Sequence, residues 1–249
     1  MTPQRIPAGN PGVFTGRGNN TYLVGDVLID AGVGAASHLD ALVTALDGRR
    51  LAHVVVTHGH SDHASGVPAI RERWPDVRVS KYFPDDIVPG GWSPLVEGDR
   101  VDVGSRTLRV LVTPGHAADH ICLFDDAMGD LFAGDMVIVG TTVIVPSGAK
   151  GGSMRAYLQS LTRLRDLEAG RLLPGHGPVI DQPRDRIDAI IQHRLEREAQ
   201  VAACLGAGIV EPAEIVARIY DGIAAALLPF AEQTVIAHIE KLDEDRYAG

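Results

Sequence analysis

The stretch Thr57-His58-Gly59-His60-Ser61-Asp62-His63 places three imidazoles and one carboxylate within six residues, directly after the run His53-Val54-Val55-Val56. Imidazole nitrogen and carboxylate oxygen are the ligands that a borderline divalent cation such as zinc takes, at about 2.0 to 2.2 Å. Four such groups on one turn cannot all bind a single tetrahedral ion and leave room for a substrate, so the arithmetic favours two metals. Groups of the same kind close three other strand-like runs: Thr113-Pro114-Gly115-His116, Phe132-Ala133-Gly134-Asp135 and Leu173-Pro174-Gly175-His176-Gly177. A glycine beside each donor lets the backbone turn sharply and approach an ion closely. Four loops are therefore expected to converge on one site.

Such loops need a rigid frame, and the flanking patterns supply one. Residues 21–24 and 27–30 flank Gly25-Asp26 as a hairpin, and 53–57 reads as a buried strand delivering its C-terminal loop to the site. Residues 37–46 have helical spacing with Ser37 as N-cap and Gly48 as a stop, and 64–74 forms a helix stopped by Pro75. Strands follow at 77–80 and 108–113, a second hairpin at 121–124 and 130–133, a helix at 153–167, a strand at 171–173 and a long helix at 184–204. This order makes an α/β or α+β layered body. After Gly206-Ala207-Gly208 come two helical patterns, 212–220 and 229–242, each with proline in its first turn. The expected division is a catalytic domain over 1–205 and a small helical appendage over 206–249.

The chain has 249 residues, 45% of them apolar and 22% charged, which excludes a short peptide scaffold and a disordered chain. Mean hydropathy is near zero, and no run of the prolines and glycines at the N-terminus has signal-peptide character. A cytoplasmic location with no membrane contact is the default expectation. The formal net charge of -9 supplies no general attraction for phosphate backbones. Cys122 and Cys204 are too few for a disulfide framework and form no CxxC pair, so they read as free thiols.

The ordered set His58, His60, Asp62, His63, His116, Asp135 and His176 resembles the metallo-beta-lactamase superfamily, with its HxHxDH motif, distal His, bridging Asp and final His. The resemblance covers about residues 19–179 and implies an α+β four-layer αββα sandwich with the metals at one edge. It implies that His58, His60 and His116 hold one ion, that Asp62, His63 and His176 hold the other, and that Asp135 bridges them. Two zinc ions are expected, with iron or manganese also suited to mixed N/O ligands. The implied activity is that of a metallo-hydrolase: a hydroxide between two cations attacks, and Asp62 orients it or carries a proton. Flavodiiron-type relatives carry Glu in place of the second motif His, so the intact His60 argues for hydrolysis. Persulfide dioxygenase relatives keep a similar motif with a single iron and stand as an alternative. The short interval between Asp135 and His176 excludes the nuclease branch with a large inserted domain.

Within the superfamily the chain looks most like the beta-lactamase-like protein 2 group. The marks are Asn20-Thr-Tyr-Leu-Val-Gly25, Thr113-Pro-Gly-His-Ala-Ala-Asp-His120, Gly140-Thr-Thr-Val143, Pro174-Gly-His-Gly-Pro178 and His193-Arg-Leu-Glu-Arg-Glu198, followed by a winged-helix-like tail. That group includes single-stranded RNA endonucleases and, among its relatives, thioesterases acting on carrier-bound acyl chains. The leading expectation is hydrolysis of a small or carrier-bound thioester, ester or lactone; RNA cleavage is the alternative. An RNA substrate would need cations gathered near the metals, and Lys81, Lys150, Arg155 and Arg194 are the candidates.

Asp119 and His120 are either partners orienting the His116 loop or a polar pair opening a strand. Thr141 and Thr142 either line the pocket mouth, the favoured reading, or are ordinary strand-edge threonines. His193 or Arg194 could face substrate, or Arg194 and Glu198 could form a surface ion pair; His38, His53 and His238 receive no role. The tail is acidic and the chain ends before strands that would make a wing, so it is a poor DNA-binding module. It is expected to cover the active-site face or to mediate association into a homo-oligomer.

Overall fold

Strands buried on both faces read as almost unbroken apolar runs, and the central strands of this chain do so because each is sandwiched between two layers. The computed structural model describes residues 2–12 and 15–248. Its strands are β1 (Gln4–Pro7), β2 (Asn20–Val24), β3 (Val27–Ile29), β4 (His53–Val55), β5 (Arg78–Tyr82), β6 (Ser93–Leu95), β7 (Arg100–Asp102), β8 (Thr107–Val112), β9 (Ile121–Asp125), β10 (Asp130–Gly134) and β11 (Arg171–Pro174). Strands β1 to β6 form one sheet in sequence order, and the second runs β11-β10-β9-β8-β7. The helices are α1 (Ala36–Leu46), α2 (Ser61–Ala64), α3 (Val67–Arg73), α4 (Met154–Arg165), α5 (Pro183–Gly206), α6 (Pro212–Ile219) and α7 (Leu228–Ala248).

Side chains of successive strand residues point to opposite faces, and the core clusters follow that alternation. Tyr22, Val24, Val27, Ile29 and Val55 meet Leu108, Val110, Ile121, Leu123, Phe132 and Leu173 between the sheets. Their neighbours Leu23, Leu28 and Val54 face the other way, onto Leu42, Leu46, Val67 and Ile70 of α1 and α3. On the far side, Leu111, Cys122, Leu131, Ala133 and Leu172 pack on Met154, Tyr157, Leu161, Ile187 and Ile190 of α4 and α5. The result is the αββα sandwich that the motif implied. A fourth cluster joins Val201 of α5 to Ile215 and Val216 of α6 and Ala231 and Val235 of α7.

Strands β3 and β4 run parallel, as do β10 and β11. Asp30, the 57–63 loop, Asp135 and His176 consequently leave the two sheets at one edge. Three short strands, β1, β6 and β7, have no counterpart in the sequence reading. Each pairs with a single neighbour at a sheet margin, and β1 and β6 contain Pro7 and Pro94, a residue that cannot donate to a ladder and is confined to such positions. The helix expected over 64–74 is two pieces: α2 starts earlier, carrying Asp62 and His63, and the chain diverts at Gly66, whose N–H bonds Gly32 O at 2.9 Å. Ser37 is not the cap of α1, which begins at Ala36 after Ala35 with no side-chain cap. Among the described residues, no helix is long and apolar enough to cross a membrane.

Phe132 is 1% exposed, lies between the sheets and meets the Tyr22 ring edge-on at 5.6 Å. Phe132→Ala should therefore cost about 3–5 kcal/mol of stability, read as a lower midpoint in urea unfolding with an unchanged slope; a cost under about 1 kcal/mol would mean that this cluster does not hold the sheets together.

Candidate metal centre

The seven donors named from the sequence come together. His60 Nδ1 lies 2.9 Å from both His58 Nε2 and His116 Nε2. Asp62 Oδ2 lies 3.2 Å from His176 Nε2 and 3.5 Å from His63 Nε2. Asp135 stands between the sets: Oδ1 is 3.4 Å from His63 Nε2, and Oδ2 is 3.4 Å from His176 Nε2 and 3.7 Å from His116 Nε2. The donor atoms of His58, His60 and His116, of His58, His63 and Asp135, and of Asp62, His63 and His176 form three groups with all separations within 4.8 Å. Donors about 2.0–2.2 Å from one ion at tetrahedral angles stand about 3.3–3.6 Å apart; the 3.2–3.7 Å separations around Asp62 and Asp135 match that range, while His60 Nδ1, 2.9 Å from the His58 and His116 nitrogens, sits tighter.

The outer hydrogen bonds of His58, His63 and His116 turn one nitrogen of each ring toward the common centre. His116 Nδ1–H donates to the Ile144 carbonyl at 2.6 Å. His58 Nδ1–H donates to Thr57 Oγ1 at 3.0 Å, because that hydroxyl spends its own proton on Asp30. With both outer nitrogens committed, the three converging nitrogens of His58, His60 and His116 share at most the one proton of His60. His63 Nδ1 donates to Asp30 Oδ2 at 2.7 Å, while His63 Nε2 and Asp135 Oδ1 are buried with no hydrogen-bond partner. Buried polar atoms without partners are costly, and a divalent cation satisfies both. The donor set fits such an ion.

Burial pushes the His58 and His116 imidazoles below their usual range, which keeps them neutral and able to ligate. Burial also opposes charge on His63 and His176, but carboxylates outweigh it. Asp30 and Asp135 raise His63 well above its ordinary value, and Asp135 and Asp62 raise His176 to about 9. Reciprocally, burial is overcome at Asp62 and Asp135, whose carboxyls are held low by His176 and His63. Protons thus occupy two of the positions that a metal would take.

Several positioning groups lie beside the seven expected donors, and of them the sequence itself offers His120 as an orienting partner. Asp30 accepts from Thr57 N at 2.8 Å as well as from Thr57 Oγ1 and His63, and adopts a left-handed φ of 64°. Its sequence signal is a carboxylate closing an apolar strand. Asn19 Nδ2 donates to the Asp62 carbonyl, and Asn19 pairs with His176 as an isolated bridge. His120 is an orienting partner: its Nε2 accepts the Asp135 N–H at 3.1 Å while its Nδ1–H donates to Thr113 Oγ1 at 2.9 Å. Gly175 is required by close approach, since a Cβ there would fall 2.6 Å from Asp135 Oδ1.

Three of the four cations named for RNA are otherwise engaged. Lys81 is buried, pairs with Asp119 and donates to Tyr82 O at 2.9 Å. Arg155 binds Glu244 and Asp245 of α7, each at 2.5 Å, and Arg194 is 2% exposed with its guanidinium on the Val143 carbonyl. Lys150 remains exposed. The expectation of an Arg194–Glu198 surface pair is corrected too: Glu198 binds Lys241 at 2.7 Å and His238, because Arg194 turns inward. His38 and His53 bond Thr21 and Ser80 within the fold. Thr141 is exposed, and Thr142 and His193 are half-buried.

Residues 14–176 match the family model of the metallo-beta-lactamase superfamily, and residues 212–247 match that of the beta-lactamase associated winged helix domain. The chain is 36% identical to the lactamase-like protein adaB of Aspergillus niger over all of this chain and 82% of that protein. It is 33% identical to an atrochrysone carboxyl ACP thioesterase of Aspergillus chevalieri over 99% of this chain and 83% of the relative. It is 35% identical to the beta-lactamase-like protein 2 homolog of Caenorhabditis elegans over 81% of this chain and 70% of that one. Among solved structures, a beta-lactamase domain protein from Burkholderia ambifaria superposes with a TM-score of 0.81 at 25% identity, over 96% of this chain and 84% of its own. The fold, the seven converging donors and these matches agree: the chain belongs to the metallo-beta-lactamase superfamily and is a hydrolase of that family.

Proposed function

We propose that this chain is a dinuclear, zinc-dependent thioesterase acting on a small or carrier-bound acyl substrate, with iron or manganese as the alternative ions. The observation that supports it most directly is the pair of donor sets sharing Asp135. His58, His60 and His116 would hold one ion and Asp62, His63 and His176 the other. When bound, such ions act as Lewis acids that lower the pKa of water from 15.7 toward about 7 and polarise a carbonyl. The chain's own contribution is positional and acid–base. Asp62, held ionised by His176 and His63, is the carboxylate to accept a proton from attacking water and return it to the departing thiolate. Water and thioester thereby become carboxylic acid and thiol. Asn19 fixes the backbone from which Asp62 projects, and Asp30 holds Thr57 and His63.

The thioester is favoured over RNA on two grounds. One relative over nearly the whole chain is named an acyl-carrier-protein thioesterase. The cations that an RNA backbone would need are paired or buried at Lys81, Arg155 and Arg194.

Purified protein should carry close to two transition-metal equivalents by elemental analysis, and Asp135→Ala should lose metal and activity together. A single iron with sulfur-dependent oxygen uptake would instead mark a dioxygenase. Metal uptake should release protons, and affinity at the Asp62–His63–His176 set should climb as pH rises toward 9, since His176 must shed its raised proton.

Asp62→Asn should lower turnover by about 10² to 10⁴-fold, the usual weight of a general base, while the ion of the His58, His60 and His116 set stays bound. Unchanged turnover would remove Asp62 from the mechanism.

Thioester hydrolysis should respond weakly to added salt. Metal-dependent cleavage of labelled single-stranded RNA that falls steeply with salt and disappears in Asp62→Asn would reverse the substrate assignment.

A further inference from the structure

Arg194 is the most deeply buried arginine-borne charge near the centre, yet it meets no carboxylate in the contacts that define it. Its Nη2 donates to the Val143 carbonyl, and its guanidinium lies 5.6 Å over the Tyr157 ring. Val143 precedes Ile144, whose carbonyl receives the His116 Nδ1–H. Tyr157, fully buried on α4, reaches both remaining sides of the same corner. Its hydroxyl donates to Met136 O at 2.8 Å, one residue beyond Asp135. Its backbone lies so close to Gly115, one residue before His116, that a Cβ on Gly115 would stand 2.3 Å from Tyr157 Cα. Ser153 N donates to Gly115 O at 2.9 Å, and Ser160 Oγ donates to Pro114 O at 2.8 Å, so α4 clamps the whole loop.

The segment is also tied down from the tail. Ser147 Oγ donates to Gln233 Oε1 at 2.9 Å and Gly148 N to Glu240 Oε2 at 2.8 Å, both on α7.

We propose that Arg194 and Tyr157 form a buried brace that positions His116 and Asp135 for the metal, with Arg194 holding the strand of chain that fixes the His116 tautomer and Tyr157 holding the backbone on either side. The proposal rests on His116 and Asp135 being ligands, as argued above. Arg194 is a positioning residue and touches no substrate. A planar guanidinium reaches the Val143 carbonyl while presenting its delocalised face to the Tyr157 ring, a geometry that the compact point charge of a lysine does not reproduce from the same position. Partners that orient ligands in this way typically carry 10- to 100-fold in metal affinity.

The test is a chelator-competition titration with zinc on Arg194→Lys and Tyr157→Phe, with Arg155→Gln as control. Arg155 joins α4 to α7 through Glu244 and Asp245 without touching residues 143–145. Both brace variants should bind zinc 10- to 100-fold more weakly than wild type, while the metal-free proteins melt no lower than Arg155→Gln does. KM should change less than kcat. Zinc affinity within twofold of wild type in both variants would overturn the brace, as would a rise in KM alone, which would place Arg194 on substrate. Should Arg194→Lys fail to fold, Tyr157→Phe, which deletes a single oxygen, decides by itself. Wild-type protein that takes up no zinc would overturn the metal reading and the brace together; wild type that binds two ions beside variants that bind equally well overturns the brace alone.

Discussion

Asp135 is a carboxylate, 8% exposed, enclosed by imidazoles, and the rest of the molecule is arranged around keeping it charged. A buried carboxylate is expensive unless opposite charge or donors surround it. Here His63 and His176 supply that charge and His120 accepts its backbone N–H, so the side chain is presented from a rigid turn. These groups come from both sheets. His63 follows β4 in the first, while Asp135 and His176 follow β10 and β11 in the second, so the centre forms only if the sheets pack in register. Phe132 and Tyr22, meeting between the sheets just behind the loops, are where that packing is enforced.

Around the donors runs a ring of hydrogen bonds whose directions are set by chemistry that leaves few options. A carbonyl can only accept, so Ile144 commits His116 to one tautomer; a carboxylate can only accept, so Asp30 commits Thr57 and, through it, His58. Each outer bond selects which nitrogen faces the site. His58, His63 and His116 are thus oriented by groups that would never touch an ion.

The helical appendage takes part in this arrangement. The bonds of Ser147 and Gly148 to α7 fasten it to the loop that carries Ile144, and ion pairs from Arg155 to Glu244 and Asp245 fasten it to α4. Two of its acidic residues, Glu244 and Asp245, pair with Arg155 of the main body, and Glu240 accepts from the Gly148 N–H.

The donor set was legible in the sequence because metal chemistry demands particular side chains at short spacings, and a backbone leaving an apolar strand must turn where glycine permits. The order of apolar runs, too, announced a layered α/β or α+β body, and the resemblance carried by the donor motif implied the sandwich. The edge strands β1, β6 and β7 were not legible, since a margin needs only one partner and tolerates proline. Nor was the conversion of Lys81 and Arg194 from exposed cations to buried partners, or the divided helix at Gly66. Those depend on which groups lie opposite across tens of residues, such as Asp119 for Lys81 and Val143 for Arg194. A charged side chain alone says that it must be solvated; only the tertiary structure decides whether water, a carboxylate or a carbonyl does it.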